Sequence, residues 1–401
     1  MTTALEKPAI SNRGRSVPAS AIRLLEGNAN AAKARGVHIY HLNIGQPDIE
    51  TPEYIRSRAG ADTIIAYTPA RGTEAVRKVM RDYYAKLGVA LESSELMMTT
   101  GGSEALLFAM LACADPGDEG LVVEPMYANI RNFATIGGIT LKPLAAHVDE
   151  GFKIPSAEVF ARAITDRTRF VMLCNPNNPT GTVSTPDEIR AVAEVCREHR
   201  IFLIVDEVYR EFVYDGRKPW SALSLEGFDD TIVVADSVSK RYSACGMRLG
   251  CIATRNAEVI GATGRMAEGR LSVPTIEQQM LEGIADLPAN YMDGIVAKYQ
   301  RRRDLLFAGL TSIPGVELQL PQGAFYFIAR LPVGDALAFS RWMVSSFEVD
   351  GATVMLAPAA GFYLTPDLGK DEVRIAYVLV EEDLRQAVEI LRLAIEAWNE
   401  P

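Results

Sequence analysis

Lys240 ends the run Thr231-Ile232-Val233-Val234-Ala235-Asp236-Ser237-Val238-Ser239-Lys240, in which an apolar strand pattern gives way to two hydroxyls and an amine. A lysine so placed, partly desolvated, can attack a carbonyl carbon as a free amine. Taken alone it could equally begin a solvated face. The same juxtaposition of apolar run and polar residues recurs. Gly101-Gly102-Ser103-Glu104 follows Leu96–Thr100, and Pro125-Met126-Tyr127 follows Leu121–Glu124. Asn175-Pro176-Asn177-Asn178-Pro179-Thr180-Gly181 follows Phe170–Cys174, and Asp206-Glu207-Val208-Tyr209 follows Ile201–Val205. All five lie at C-terminal ends of expected strands, the edge where open α/β sheets bind ligands.

Each group suggests a task. Gly102, Ser103 and Glu104 open a helix directly after a strand, where close backbone approach, free amides and the helix dipole attract a phosphate; an ordinary serine cap is the plain alternative. Ser237 and Ser239 add hydroxyls. Arg248 in Gly246-Met247-Arg248-Leu249-Gly250 adds a planar bidentate cation, or is merely the first exposed residue of its strand. Asp206 ends the most apolar strand, where a carboxylate needs a cation or several donors to stay ionised. A protonated pyridine nitrogen would serve, and so would the amides of the next turn. Tyr127 offers a flat face for a ring or for packing. Tyr209 and Asn178 suit a phenolic oxygen, although an asparagine in a proline-rich turn is often structural. A phosphate cup, a ring partner, a stacking aromatic, an oxygen-binding pair and an amine nucleophile together describe pyridoxal 5′-phosphate.

The elements that must position these residues alternate. Strands are predicted at Leu96–Thr100, Gly120–Glu124, Arg169–Cys174, Ile201–Val205, Thr231–Asp236 and Arg248–Ala253, with helices at Glu104–Cys113, Pro186–Glu198 and after Met126. That is the pattern of an α/β domain whose largely parallel sheet is sandwiched by helices. The ends differ: a helix over Ala19–Arg35, a strand around Ile39–Asn43, a long helix around Ala297–Leu310, strands near Glu317, Phe325–Ala329 and Val373–Tyr377, and a closing helix at Leu384–Trp398. They predict a small α+β domain from both termini, 1–45 and 286–401, beside a large cofactor-binding domain, 46–285.

A chain of 401 residues exceeds one ordinary core. The net charge of −10 argues against nucleic-acid or anionic-membrane surfaces, and no run of about 18 apolar residues predicts a membrane span. Met1 to Arg23, with Pro8 and Pro18, lacks a signal-peptide core, which points to the cytoplasm. The five cysteines contain no CxxC pair and are expected as reduced thiols; the four histidines show no metal-ligand spacing, so no metal is expected.

The chain resembles the fold-type I pyridoxal-phosphate enzymes, in particular the class I/II aminotransferases related to aspartate aminotransferase. The matching stretches are 42–48 (LNIGQPD), 67–72 (YTPARG), 100–105 (TGGSEA), 175–181, 206–209, 237–240 and 373–376 (VRIA), and the likeness runs from about Ala19 to the C-terminus. The resemblance implies that Lys240 is the Schiff-base lysine and proton shuttle. It implies that Asp206 meets the ring nitrogen, Asn178 and Tyr209 the ring oxygen, and Tyr127 the ring face. Gly102, Ser103, Glu104, Ser237 and Arg248 would then hold the cofactor's phosphate end. Arg374, with Gly45 and Asn178, would grip the substrate carboxylate. Tyr67 would reach the phosphate of a neighbouring subunit, implying a homodimer. Cis bonds before Pro125 and Pro179 are implied too.

The implied activity, in amino acid metabolism and biosynthesis, moves an amino group from an L-amino acid to a 2-oxo acid through pyridoxamine phosphate. The donor stays open. Aspartate-type relatives carry an extra cation either just after the paired glycines, here Ser103, or downstream of a Ser-x-Pro segment, and 271–279 has none. Arg71 and Arg270 are the spare cations. A lyase or cyclising enzyme on the same scaffold is the alternative. A cofactor-sensing transcription regulator is disfavoured by the acidic charge and by the mere 18 or so residues before the first matching helix.

Overall fold

The computed structural model describes residues 11–60 and 65–400. Residues 1–10, part of the expected 1–45 segment, and residues 61–64 and 401 lie outside the described residues. A short strand, β1 (His38–His41), precedes the main sheet. That sheet consists of β2 (Leu96–Thr99), β3 (Glu119–Glu124), β4 (Thr140–Ala145), β5 (Thr168–Cys174), β6 (Phe202–Asp206), β7 (Ile232–Ser237) and β8 (Gly250–Ala253). The strand order is β2-β8-β7-β6-β5-β3-β4, and β8 alone pairs antiparallel to its neighbours.

The central strands are near-continuous apolar runs because both faces are covered. Val171, Leu173, Leu203, Val205, Ile232 and Val234 point to one core, and Phe170, Met172, Ile204, Val233 and Ala235 to the other. The helix Pro186–His199 brings Ile189, Val192 and Cys196 to the first face, and Gly101–Cys113 brings Ala105, Leu106 and Ala109 to the second. Thr185 and Glu188 form a reciprocal capping box at the start of Pro186–His199, and Arg200 ends it in the left-handed region.

β4 is absent from the sequence-based expectation. It is an edge strand, only partly buried, and its Lys142 and Pro143 mask the alternation. The start of β8 also moves, because Arg248 adopts a left-handed φ of 52° and the strand begins two residues later.

The terminal segments build the remaining sheets. β9 (Glu317–Leu318), β10 (Tyr326–Arg330), β12 (Ala357–Pro358) and β13 (Glu372–Ala376) form one in the order β12-β13-β10-β9, while β1 pairs in parallel with β11 (Ala352–Met355). The helices Tyr291–Thr311 and Glu381–Asn399 pack on the aromatic core around Phe325, Phe327 and Tyr377. The single helix expected over Ala19–Arg35 is two pieces, a 3-10 turn at Ala21–Arg23 and a helix at Glu26–Ala34. The break lets Leu25 join Ala29 and Ala32 in a small core while Ile22 turns its carbonyl toward Asn43 Nδ2, 3.5 Å away.

Gly250 ties this framework to the helix Gly101–Cys113. A Cβ there would lie 2.6 Å from Asp236 O and Gly101 C and 2.8 Å from Gly102 N, all backbone atoms that cannot rotate away. Gly250→Ala is therefore expected to destabilise the fold by about 1–3 kcal/mol, the scale of overpacking. Thermal denaturation checks this; an unchanged midpoint would refute the crowding.

Candidate active site

A cleft of about 520 Å³ opens where β5, β6 and β7 end, and its far wall comes from the terminal segments. Lys240 reaches into it from the turn after β7. Its Nζ donates to Gly45 O at 2.8 Å and lies 3.7 Å from Cys245 Sγ. Gly45 can only be glycine, since a Cβ would fall 1.6 Å from the Tyr326 hydroxyl.

Asp206 lies at the end of β6, 6% exposed, and its carboxylate has one hydrogen bond among the described residues, from Val208 N at 3.1 Å. Burial pushes its pKa up to about 7; Asp236 and Glu207 add to the rise, against the Val208 amide and Lys240. Asp236, one strand over, is the opposite case. Burial opposes its charge too, yet Arg241 at 2.5 Å and Arg210 at 3.2 Å hold it below the usual carboxylate range.

Asn178 and Tyr209 meet as the sequence suggested, with Asn178 Nδ2 donating to Tyr209 Oη at 3.3 Å. Burial raises the Tyr209 phenol well above its ordinary value. Arg374, far from an exposed strand residue, is 1% exposed. Its Nη1 donates to Asn178 Oδ1 at 3.2 Å and its Nη2 to Asn43 O at 2.6 Å, while Nε is buried without a hydrogen-bond partner among the described residues. Its guanidinium lies 4.5 Å from the Tyr326 ring centroid.

At the other end Gly102, Ser103, Ser237 and Arg248 line the cleft with Tyr127 between them and Arg374. Gly101 has φ +75°, and a Cβ there would sit 2.5 Å from Arg248 Nη2, so the glycine turn and the arginine share one narrow space. Ser237 Oγ lies 2.8 Å from Ser239 Oγ and 3.0 Å from Leu249 O. The Tyr127 hydroxyl accepts from Asn129 Nδ2 at 2.8 Å, and burial pushes its pKa up to about 12.

Three expectations fall elsewhere. Glu104 turns away from the cleft: its carboxylate accepts from Thr100 N at 2.8 Å and pairs with Arg270 at 3.4 Å, capping its own helix. Tyr67, whose expected role is in a neighbouring subunit and not among these three, is 82% exposed and outside the cleft of its own chain. Neither spare cation lines the cleft, since Arg71 donates to Ile260 O and Arg270 pairs with Glu104. Of the two cis bonds, the one before Pro125 is present, but the second precedes Pro176 and not Pro179, which lies inside a turn closed by Gly181 N to Asn177 O at 2.9 Å.

Sequence reasoning missed Asn43, Cys245 and Tyr326. Tyr326 Oη lies 3.0 Å from Tyr209 Oη and 3.5 Å from Gly45 O, so it joins β10 to two loops. Its apolar strand gave no signal.

These groups fit pyridoxal phosphate. A buried carboxylate without a cation faces the cleft near the lysine, the glycine turn and Arg248 provide anion donors, and Arg374 keeps an unpartnered buried N–H. A model of the family described as aminotransferase class I and II matches residues 37–391. The aspartate aminotransferase of Rhizobium meliloti strain 1021 is 30% identical, with 96% of each chain covered. The aspartate/prephenate aminotransferase of Thermus thermophilus is 30% identical over 95% of this chain and 97% of that protein. Among solved structures, the aspartate aminotransferase from Thermus thermophilus with maleate has a TM-score of 0.88 at 28% identity, covering 97% of this chain and 100% of that one. The alanine aminotransferase from Pyrococcus furiosus has a TM-score of 0.87 at 27% identity, with the same coverage.

Asp206 yields a pH prediction for the cofactor-free protein. A carboxyl raised from 3.8 to about 7 on folding holds a proton that the unfolded chain releases, so its contribution favours folding at low pH and is lost as pH rises through about 7. The melting temperature of the cofactor-free protein should fall between about pH 4 and 7 and level off above, and Asp206→Asn should flatten that fall. An unaltered slope in the variant would exclude Asp206 as its source.

Proposed function

This chain belongs to the class I and II aminotransferases and depends on pyridoxal phosphate, and from that premise we propose how its residues share the work between an L-amino acid donor and a 2-oxo acid acceptor. One observation carries the proposal: a buried Asp206 without a cation faces the same cleft as Lys240. When bound, the cofactor supplies an electron sink for the α-carbon.

Lys240 would hold the cofactor through its Nζ, and the same amine, once free, would accept the proton from the donor's α-carbon. Its contact to Gly45 O keeps the Nζ at the substrate end of the cleft. Asp206 would pair with the protonated ring nitrogen, the cation its buried carboxyl lacks among the described residues. Asn178 and Tyr209 would hold the ring oxygen, Tyr127 would pack on the ring, and Gly102, Ser103, Ser237 and Arg248 would take the phosphate. Arg374 forks the α-carboxylate beside Gly45 and Asn178, pre-aligned by Asn43 and Tyr326. Glu104 keeps an indirect part, fixing the helix start that presents Gly102 and Ser103.

We assign the homodimer and its cytoplasmic setting to the same proposal. Tyr67, Ile65, Leu271 and Tyr54 are 82%, 63%, 52% and 48% exposed, large apolar side chains that suit burial against a second subunit, where Tyr67 would reach the neighbouring phosphate. The divisions at 45/46 and 285/286 stand likewise as proposed domain boundaries. Aspartate with 2-oxoglutarate is a candidate pair, supported by the names of the relatives.

Lys240→Ala should abolish both the cofactor's visible absorbance shift on donor addition and the transfer itself. Asp206→Ala should lower turnover by roughly 10³-fold or more while most cofactor is retained, because the phosphate cup is untouched. Single-turnover absorbance with 2-oxo acid analysis checks both. Full activity in the Lys240 variant would overturn the assignment, and pyruvate with free ammonia would indicate elimination instead of transfer.

A further inference from the structure

We propose that the cleft selects dicarboxylic substrates and that Arg23, supported by Lys33, binds their distal carboxylate from the N-terminal segment. The inference rests on the reading of Lys240, Arg248 and Arg374 above and adds the far end of the substrate to it.

The charge inventory of the cleft leads there. Among the described residues its arginines and lysines are Arg23, Lys33, Lys240, Arg248 and Arg374. Lys240 is the amine at Gly45 O, Arg248 sits against the glycine turn, and Arg374 is pinned between Asn43 O and Asn178. Two cations remain. The position after the paired glycines is Ser103, and Arg71 and Arg270 are engaged outside the cleft, so no competing cation stands at that end.

Geometry puts the remaining pair on the correct wall. Arg23, Glu26, Asn30 and Lys33 follow a spacing of three, four and three, which is one stripe along the turn Ala21–Arg23 and the helix Glu26–Ala34, and all four line the cleft. The opposite stripe, Leu25, Ala29 and Ala32, is buried in its own small core and fixes the outward face. Asn43 joins this wall to the carboxylate fork: its carbonyl accepts from Arg374, and its Nδ2 donates to Ile22 O, the residue before Arg23. Asn43 thus sets the carboxylate fork and the stripe on one connected wall of the cleft.

Both cations are available. Arg23 has one ion-pair partner, Glu26 at 3.6 Å, and the two side chains are 75% and 55% exposed, a loose contact that a substrate carboxylate can replace. Lys33 has no ion pair among the described residues. A dicarboxylate would thus be held at both ends by guanidinium groups, one buried and rigid, the other exposed and adjustable.

The test uses the holoenzyme and two readouts. Maleate and propionate are titrated by calorimetry, without turnover, into wild type, Arg23→Gln and Arg23→Gln/Lys33→Gln; single-turnover rates are then taken with L-aspartate, L-glutamate, L-alanine and L-phenylalanine. Maleate should bind the wild type more tightly than propionate, and Arg23→Gln should weaken maleate about 10- to 100-fold, the scale of losing one charge-assisted contact, with a much smaller effect on propionate. The loss in rate should be at least about tenfold greater for aspartate or glutamate than for alanine. Equal maleate affinity in wild type and the double variant would overturn the subsite, while transfer from neutral amino acids left the aminotransferase assignment standing. Selective loss of maleate affinity with no transfer from any amino acid would support the subsite and count against that assignment.

Discussion

A carboxylate buried without a cation is the constraint on which the site depends. Asp206 and Asp236 end neighbouring strands, both in the interior. Asp236 meets two guanidinium groups and stays charged; Asp206 has a single amide and is pushed to about 7. A buried carboxyl without a partner either keeps its proton or carries a charge that the interior disfavours, and a positively charged ring would let it ionise at lower cost. The Asp236 cluster shows that unpaired burial is not forced by the sheet. Arg241, directly after Lys240, bonds both Asp236 and Ser237 O, fixing the turn that aims the amine.

Opposite that fixed edge, the terminal segments complete the site through one connected set of polar contacts. Lys240 touches Gly45 O, Tyr326 Oη approaches that oxygen and Tyr209, Asn178 joins Tyr209 to Arg374, and Arg374 returns to Asn43. The members come from several strands and loops, Asn43 and Gly45 sharing the loop after β1, and the main sheet supplies only part of the set. Gly45 allows this closure because any side chain would displace Tyr326, and Tyr326 in turn supports Arg374 with its ring. Formation of the substrate end therefore requires both terminal segments to be in place, which links small-domain packing to catalysis.

Much of this is legible in the sequence because the chemistry of the sheet edge is local. Lys240, Asp206 and the glycine turn each follow an apolar run directly, and strand periodicity tells where the run ends. The alternating elements are legible for the same reason, whereas β4 is not, since an exposed edge strand with Lys142 and Pro143 has no apolar period. Glu104 is ambiguous in the sequence because, in the first helical turn, a backbone amide suits an anion and a carboxylate suits a cap; the structure shows its carboxylate accepting from the Thr100 amide. Tyr326, Asn43 and Arg23 carry no local signal at all. Their roles arise from contacts across some twenty to more than three hundred residues of chain, as Asn43 with Ile22 and Arg374 shows.

That division between local and distant signals has a physical counterpart in how the cleft is held. The reacting end is set by buried, mutually constrained groups on the sheet, where a shift in any one disturbs its neighbours. The N-terminal stripe rests on a light core of Leu25, Ala29, Ala32, Ile39, Val344 and Met355, and its polar side chains point outward, free of the buried network. Substitutions along that stripe can alter what the cleft selects without unsettling Lys240, Asp206 or Arg374. A scaffold so arranged keeps one reaction and varies its substrates by exchanging a few exposed residues on one short helix.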